Sequence, residues 1–215
     1  MSYRNRKRND NNGSCKLNML TTRPHSLADR LLLYRWVDAD SMILNPALSP
    51  CIFLPPETLP HVYALVTADH NGLNNGVFYL KVHSSSVDLL TRIIDYPLAH
   101  PENDLGWFGE QGAMAEVIKS MEDEHRDPSN PSGIAWIPRT WINNYEWEHG
   151  FEGGPGSFMV HFAGLGATRL AHMAAWLEEL QRNQVKWEVP LEKLPLKDDI
   201  PKFWTDYAAG INRKS

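Results

Sequence analysis

The sequence predicts an α/β fold, a mixed sheet flanked by helices, and three observations lead there. Short β-prone runs alternate with runs whose apolar residues recur every three to four positions. Such alternation is the mark of strands covered by helices rather than of a helix bundle or a sandwich. Hydrophobic residues are 42% of 215, enough to bury a core, and no internal repeat divides the chain.

The elements follow in order. Residues 1–22 are basic, Asn-rich and poor in apolar side chains, and read as a flexible tail; residues 23–215 form the domain. Ser26, with Asp29 three residues on, resembles a helix start leading into Leu31-Leu32-Leu33. Tyr34-Arg35-Trp36-Val37 is a short strand ending at Asp38. Pro46, Pro50, Pro55 and Pro56 enforce a loop-rich connection to a strand at Val62–Thr67. Asp69-His70-Asn71-Gly72 is a turn, and a further strand begins at Gly76. A helix opens at Ser85, with Leu89, Leu90, Ile93 and Ile94 on one face, and Pro97 is expected to end it. Residues from Glu110 to His125 repeat the helical pattern through Met114, Val117, Ile118 and Met121. Ile134–Ile137 and Phe158–Phe162 read as strands. A last helix spans 168–183, with Leu170, Met173, Leu177 and Leu180 on one face. The segment from Trp187 to Ser215 is Pro-interrupted and is expected to lie over the surface, anchored by Trp187 and Trp204.

Composition excludes several classes of function. The net charge of −5 is too mild for a polyanionic partner, so no nucleic acid is expected. No apolar run approaches the roughly 20 residues that span a bilayer, and no apolar region follows the basic start Met1–Arg8, so neither anchor nor signal peptide is expected. Cys15 and Cys51 leave one disulfide open and offer no Cys-x-x-Cys zinc pattern. Eight tryptophans are many for this length; such residues line sugar or peptide clefts but more often fill cores.

Four constellations carry chemistry. Asp38-Ala39-Asp40 puts two carboxylates one residue apart at a strand end, where ligands of α/β sheets collect. Oxygen ligands suit Mg²⁺ or Mn²⁺, which would bridge a diphosphate and neutralise a leaving group. Asp-x-Asp alone is common in surface turns. Here it follows an apolar strand and returns at once to Met42-Ile43-Leu44, unlike a solvated turn. Next, Leu73-Asn74-Asn75-Gly76 sets amides beside a Gly that permits close approach or unusual dihedrals. Glu110-Gln111 places an acid and an amide at a helix start, where helix electrostatics alone also favours Glu. Finally, Val160-His161-Phe162-Ala163-Gly164 ends a strand on a His that could ligate a metal or serve as a hydrogen-bonded core residue.

These segments, in this order, resemble the galactosyltransferase/mannosyltransferase family 34, which includes fungal α-galactosyl- and α-mannosyltransferases and plant xyloglucan xylosyltransferases. The metal segment Trp36–Pro46 is similar to that family's, as are Leu73–Phe78, Glu110–Met114, Pro138–Tyr145 and Val160–Gly164. The resemblance implies a GT-A fold and Mn²⁺-dependent transfer of a hexose, with retention, from a nucleotide-sugar donor to a glycan acceptor. Carried over, Asp40 and His161 would ligate the metal, and Asp38 the metal or the donor ribose. Asn74, Asn75, Gly76 and Gln111 would contact the donor, with Gly164 beside it. Glu110 would be the acid near the sugar, so Glu110 and Gln111 are the catalytic candidates. Where the family carries a Lys near the phosphates this chain has Arg169, a donor-binding candidate. A GT-A domain places roughly 80 to 100 residues before Asp-x-Asp, whereas 37 precede Asp38 here, so the nucleotide pocket is expected to be reduced. The family resides at the Golgi membrane. A rival is a non-catalytic binding or scaffold subunit associating with other glycosyltransferases; a metal-dependent hydrolase using Asp38, Asp40 and His161 is a third reading, one that leaves the ordered segments unexplained.

Overall fold

The computed structural model describes residues 33–127 and 131–211. The basic tail, the helix start at Ser26 and Cys15 lie outside these residues. Among the described residues the order is β1 (Leu33–Val37), β2 (Ser41–Ile43), β3 (Ala64–Asp69), β4 (Gly72–Lys81), α1 (Ser84–Ala99), α2 (Gly109–Glu124), β5 (Ile134–Trp136), α3 (Arg139–Ile142), β6 (Asn144–Trp147), β7 (Gly150–Phe151), β8 (Met159–His161), α4 (Arg169–Trp187) and α5 (Leu196–Ala208). The fold is α/β, as expected, but divides its strands between two mixed sheets. The first has the order β1-β4-β3-β5, the second β2-β8-β6-β7. In each, one parallel pairing (β3 with β5, β6 with β8) joins otherwise antiparallel neighbours.

Alternation along β3 explains why the first sheet is covered on both faces. Ala64 and Val66 point to one core with Leu80, Met114, Val117, Ile118 and Met121, beneath α1 and α2. Leu65 points the other way, with Val77 and Tyr79, to a core closed by Phe53, Trp141, Ile200 and Trp204. A third cluster, Leu44, Val160 and Phe162 with Trp176 and Trp187, packs α4 against the second sheet.

β4 departs from the sequence expectation in a way that matters for the site. It starts at Gly72, so Gly76 lies inside the strand rather than at its beginning. The register runs Leu65↔Tyr79 and then Thr67↔Asn74, so Val66 alone faces the four residues Asn75 to Phe78. β4 therefore bulges there and bends. Asp69 and Gly72 close the hairpin, with the Asp69 carboxylate accepting from Asn71 N at 2.7 Å and Gly72 at φ 101°.

Other departures have physical causes. Pro97 does not stop α1, which runs to Ala99. A Pro this close to the C-terminus removes a single hydrogen bond, and its fixed φ already suits a helix. On α1 the buried line is Leu89, Ile93 and Tyr96, spaced to meet α2 and the sheet, while Leu90 and Ile94 stand exposed. On α4 the larger Trp176 sets the buried line with Met173 and Leu180, leaving Leu170 and Leu177 exposed. Beyond α4 the chain forms α5 rather than an irregular cover, despite Pro201 within it. A helix-interior Pro costs about 3 kcal/mol; burial of Ile200, Trp204 and Tyr207 on one face of α5 offsets it.

Candidate metal centre

The two sheets meet at Asp38-Ala39-Asp40. β1 ends at Val37, and Asp38 N donates to Gly76 O at 2.8 Å, extending the first sheet's ladder by one bond. Three residues later β2 begins in the second sheet, where Ser41 pairs with His161, the last residue of β8. Phe162 N donates to Asp40 O at 2.9 Å and ties the turn to that strand. Asp38 is thus placed by one sheet, and Asp40 and His161 by the other.

Their side chains converge. One ligand atom from each of Asp38, Asp40 and His161 lies within 4.8 Å of the others. His161 Nε2 is 3.3 Å from Asp40 Oδ1 and 4.0 Å from Asp38 Oδ2. Oxygen or nitrogen ligands bound at about 2.1 Å on opposite sides of one ion stand about 4.2 Å apart, so both distances suit a shared cation. The outer carboxylate oxygens are tethered. Trp36 Nε1 donates to Asp38 Oδ1 at 3.0 Å, and Arg169 Nε lies 3.0 Å from Asp40 Oδ2 without the alignment of a hydrogen bond. Each tether leaves the inner oxygen facing Nε2.

The electrostatics favour a ligand His. His161 is 3% exposed. Burial lowers its pKa; Asp40 and Asp38 act to raise it, and burial outweighs them. Burial thus favours the neutral ring, the form in which a nitrogen can offer a lone pair to a metal. Asn143 Oδ1 sits 2.8 Å from Nδ1, which leaves Nε2 as the nitrogen turned toward the carboxylates. Two carboxylates and a neutral imidazole are a donor set for a divalent cation.

Gly76 is required by this packing. A Cβ there would lie 2.3 Å from His161 Cε1 and 3.1 Å from Asp38 Oδ2. Of the two reasons for Gly weighed from sequence, close approach applies, and the approaching group is the His161 ring. Asn75, half-buried on the bulge, donates its backbone N–H to Gln111 Oε1 at 3.2 Å, which joins the first turn of α2 to β4. Glu110 is exposed on that same turn. Asn74 is 8% exposed, and its amide is engaged on both sides, with Asp69, Gly76 N and Asn143. Gly164 is exposed beyond β8 with φ 75°, and Arg169 opens α4 beside Asp40.

Three residues of this neighbourhood escaped sequence reasoning in their roles. Trp36 reads from sequence as a strand residue and as the first position of the Trp36–Pro46 segment, Asp69 only as a turn residue, and Asn143 only as one position of the Pro138–Tyr145 segment. The usable signal is the polar pair Asn143-Asn144 between the apolar Ile142 and the aromatic Tyr145; both are buried, and Asn143 is the one that faces His161. Compared with known protein families, curated proteins and solved structures, the chain matches none.

Proposed function

We propose that this chain is a metal-dependent retaining glycosyltransferase domain of GT-A type, akin to family 34. It moves a hexose, galactose or mannose, from a nucleotide-sugar donor to a glycan acceptor. The observation that carries the reading is convergence. All five segments that resemble the family, spread over residues 36–164, contribute to one connected site. Asp38 and Asp40 come from the first, Asn75 and Gly76 from the second, Gln111 from the third, Asn143 from the fourth and His161 from the fifth. An accidental Asp-x-Asp turn has no reason to gather the other four.

Asp38, Asp40 and His161 Nε2 would hold the cation, proposed to be Mn²⁺. When bound, it supplies positive charge that stabilises the departing nucleoside diphosphate. Arg169 neutralises part of the Asp40 charge from the side of α4 and adds a fixed guanidinium to the donor-phosphate side. Gln111 and the bulge at Asn75 form one hydrogen-bonded rim, from which Gln111 and Glu110 would address the donor sugar. Because both faces of the Asn74 amide and the N–H and C=O of Gly76 are taken within the protein, donor contact on this strand falls to Asn75. The reading carries with it a Golgi setting and association with other glycosyltransferases. No helix of the described residues is long and apolar enough to cross a membrane.

The test is a titration of the full chain with MnCl₂, followed by assays for nucleoside diphosphate release from UDP-galactose and GDP-mannose. Mn²⁺-dependent turnover that falls at least about 100-fold in Asp40→Ala is expected, since removing a ligand exceeds the 10–100-fold cost of removing a ligand's hydrogen-bond partner. Absence of Mn²⁺ binding, or full transfer by Asp40→Ala, would sink the proposal.

A further inference from the structure

A buried chain of hydrogen bonds runs from Asp69 to His161, and its direction is fixed chemically. Asp69 Oδ2 receives the Tyr145 hydroxyl at 2.7 Å and Asn74 Nδ2 at 3.4 Å. A carboxylate only accepts, so the amide nitrogen of Asn74 must face it. Asn74 Oδ1 then receives the backbone N–H of Gly76 at 3.0 Å, a donor that cannot reverse. The same oxygen receives Asn143 Nδ2 at 2.8 Å, and that nitrogen also meets Thr67 Oγ1 at 3.3 Å. With its nitrogen so committed, Asn143 turns Oδ1 to His161 Nδ1 at 2.8 Å. An oxygen acceptor there requires Nδ1 to carry the proton, so Nε2 is the nitrogen that can offer its lone pair to a cation.

The geometry points to Asp69, Asn74 and Asn143 as positioning residues that select the Nδ1–H tautomer of His161 and aim Nε2 at the cation site. The inference deepens the proposed metal reading and rests on it for its consequence, though not for the tautomer itself. Two anchors, the Asp69 carboxylate and the Gly76 N–H, set the same polarity from different sides, so no single amide flip reverses the chain. Burial makes the setting stiff. Thr67 and Asn143 are 0% exposed and His161 3%, so water is not at hand to satisfy a reversed amide. Tyr145 contributes twice: its hydroxyl holds Asp69, and its ring meets the His161 ring edge-on at 5.7 Å, limiting rotation about the Cβ–ring bond. Partners of this kind behind ligand histidines raise metal affinity 10–100-fold.

The test uses the full chain and two variants. Asn143→Leu removes the acceptor at Nδ1, whereas Asn143→Asp keeps an acceptor there while losing the donor to Asn74. The tautomer is read from the imidazole nitrogen shifts of ¹⁵N-labelled metal-free protein, and metal affinity from calorimetric titration with MnCl₂. Expected are an Nδ1–H ring in the parent chain and in Asn143→Asp, a ring with mixed or Nε2–H protonation in Asn143→Leu, and a 10–100-fold weaker Mn²⁺ affinity in Asn143→Leu only. A purely structural role predicts that affinity follows the loss of thermal stability in both variants alike. An Nε2–H ring in the parent chain overturns the inference, as does an Asn143→Leu protein that keeps the parent tautomer. If the parent chain shows the Nδ1–H ring but binds no Mn²⁺, the positioning chain stands and the metal reading falls.

Discussion

Gly76→Ala tests the packing on which the site depends. The added methyl would lie 2.3 Å from His161 Cε1 and 3.1 Å from both His161 Nδ1 and Asp38 Oδ2. Carbon atoms in contact settle at about 3.5 Å or more, so ring and strand must separate by about 1.2 Å. The strand is held there by the β1 ladder, which reaches Val77, and by the Asp38 N–H to Gly76 O bond, so most of the movement falls on the ring. The ring has little freedom of its own. Moving it stretches the 2.8 Å bond to Asn143 and opens the 3.3 Å approach to Asp40. Overpacking of this kind costs about 1–3 kcal/mol, which for a domain of this size is a melting-temperature loss of roughly 2–12 °C. A displacement near 1 Å at a positioned group costs about 100-fold in function, so Mn²⁺ affinity should fall by one to two orders of magnitude. Thermal melts with and without MnCl₂, together with a calorimetric titration, measure both effects. An alanine variant that melts within a degree of the parent and binds Mn²⁺ equally well would refute the argument, because the Gly76–His161 contact would then not be tight.

Three further outcomes follow from particular contacts. Gly109→Ala, at a helical position with no heavy atom within 4 Å of the new methyl, should stabilise by about 0.4–1 kcal/mol in urea melts, the opposite sign to Gly76→Ala. Trp204→Ala should cost about 3–5 kcal/mol in the same melts, because α5 places that ring inside the main core; a loss below 1 kcal/mol would put α5 on the surface. Glu152, paired with Arg139 through two contacts and receiving Tyr145 N at 2.5 Å, titrates below its usual range: burial acts to raise it, and the Arg139 and backbone bonds together outweigh burial. A depressed carboxylate stabilises the fold above its unfolded pKa of about 4.3 and loses that contribution as pH falls through the folded value. The melting gap between the parent and Glu152→Gln should therefore be full at pH 7 and close below about pH 4.

Where burial pattern and local period agreed, the sequence was legible. The continuous apolar run of β3 and the α2 positions Met114, Val117, Ile118 and Met121 all lie where their spacing put them. The sequence was not legible where tertiary contacts decide. Leu90 and Ile94 are as apolar as Leu89 and Ile93, and only the position of α2 shows which pair is covered. Pro201 conceals a helix, α5, that burial of Trp204 and Tyr207 stabilises. Two short strands, β2 and β7, have too few residues for any period to appear. At the site, the ligand candidates Asp38, Asp40 and His161 were visible because their residue types announce chemistry. Their supports were not, because Asn74, Asn143 and Asp69 are ordinary polar residues whose role is set entirely by which partners face them.

The placement of the ligands has an energetic consequence of its own. Asp38 continues β1 of the first sheet, while His161 belongs to the second and Asp40 is tied to it by the Phe162 N–H, so a bound cation would crosslink the two sheets at the turn that already joins them. Contacts within the protein hold the same turn: Trp36 on one carboxylate, Arg169 on the other, and the His161 ring between Gly76 and Tyr145. The junction is thus pre-formed, and binding need not pay to order it. Ligand geometry fixed in advance favours affinity, since little conformational entropy remains to be lost. A cation that binds only the folded junction also adds stability in proportion to the logarithm of its concentration over Kd, about 2.7 kcal/mol at a hundredfold excess over Kd. Metal binding and stability are therefore linked at this junction. A side chain that loosens the junction should weaken both metal binding and the metal's stabilising effect, whereas one that perturbs only the core beneath α1 and α2 should lower stability and leave the metal-induced increment intact.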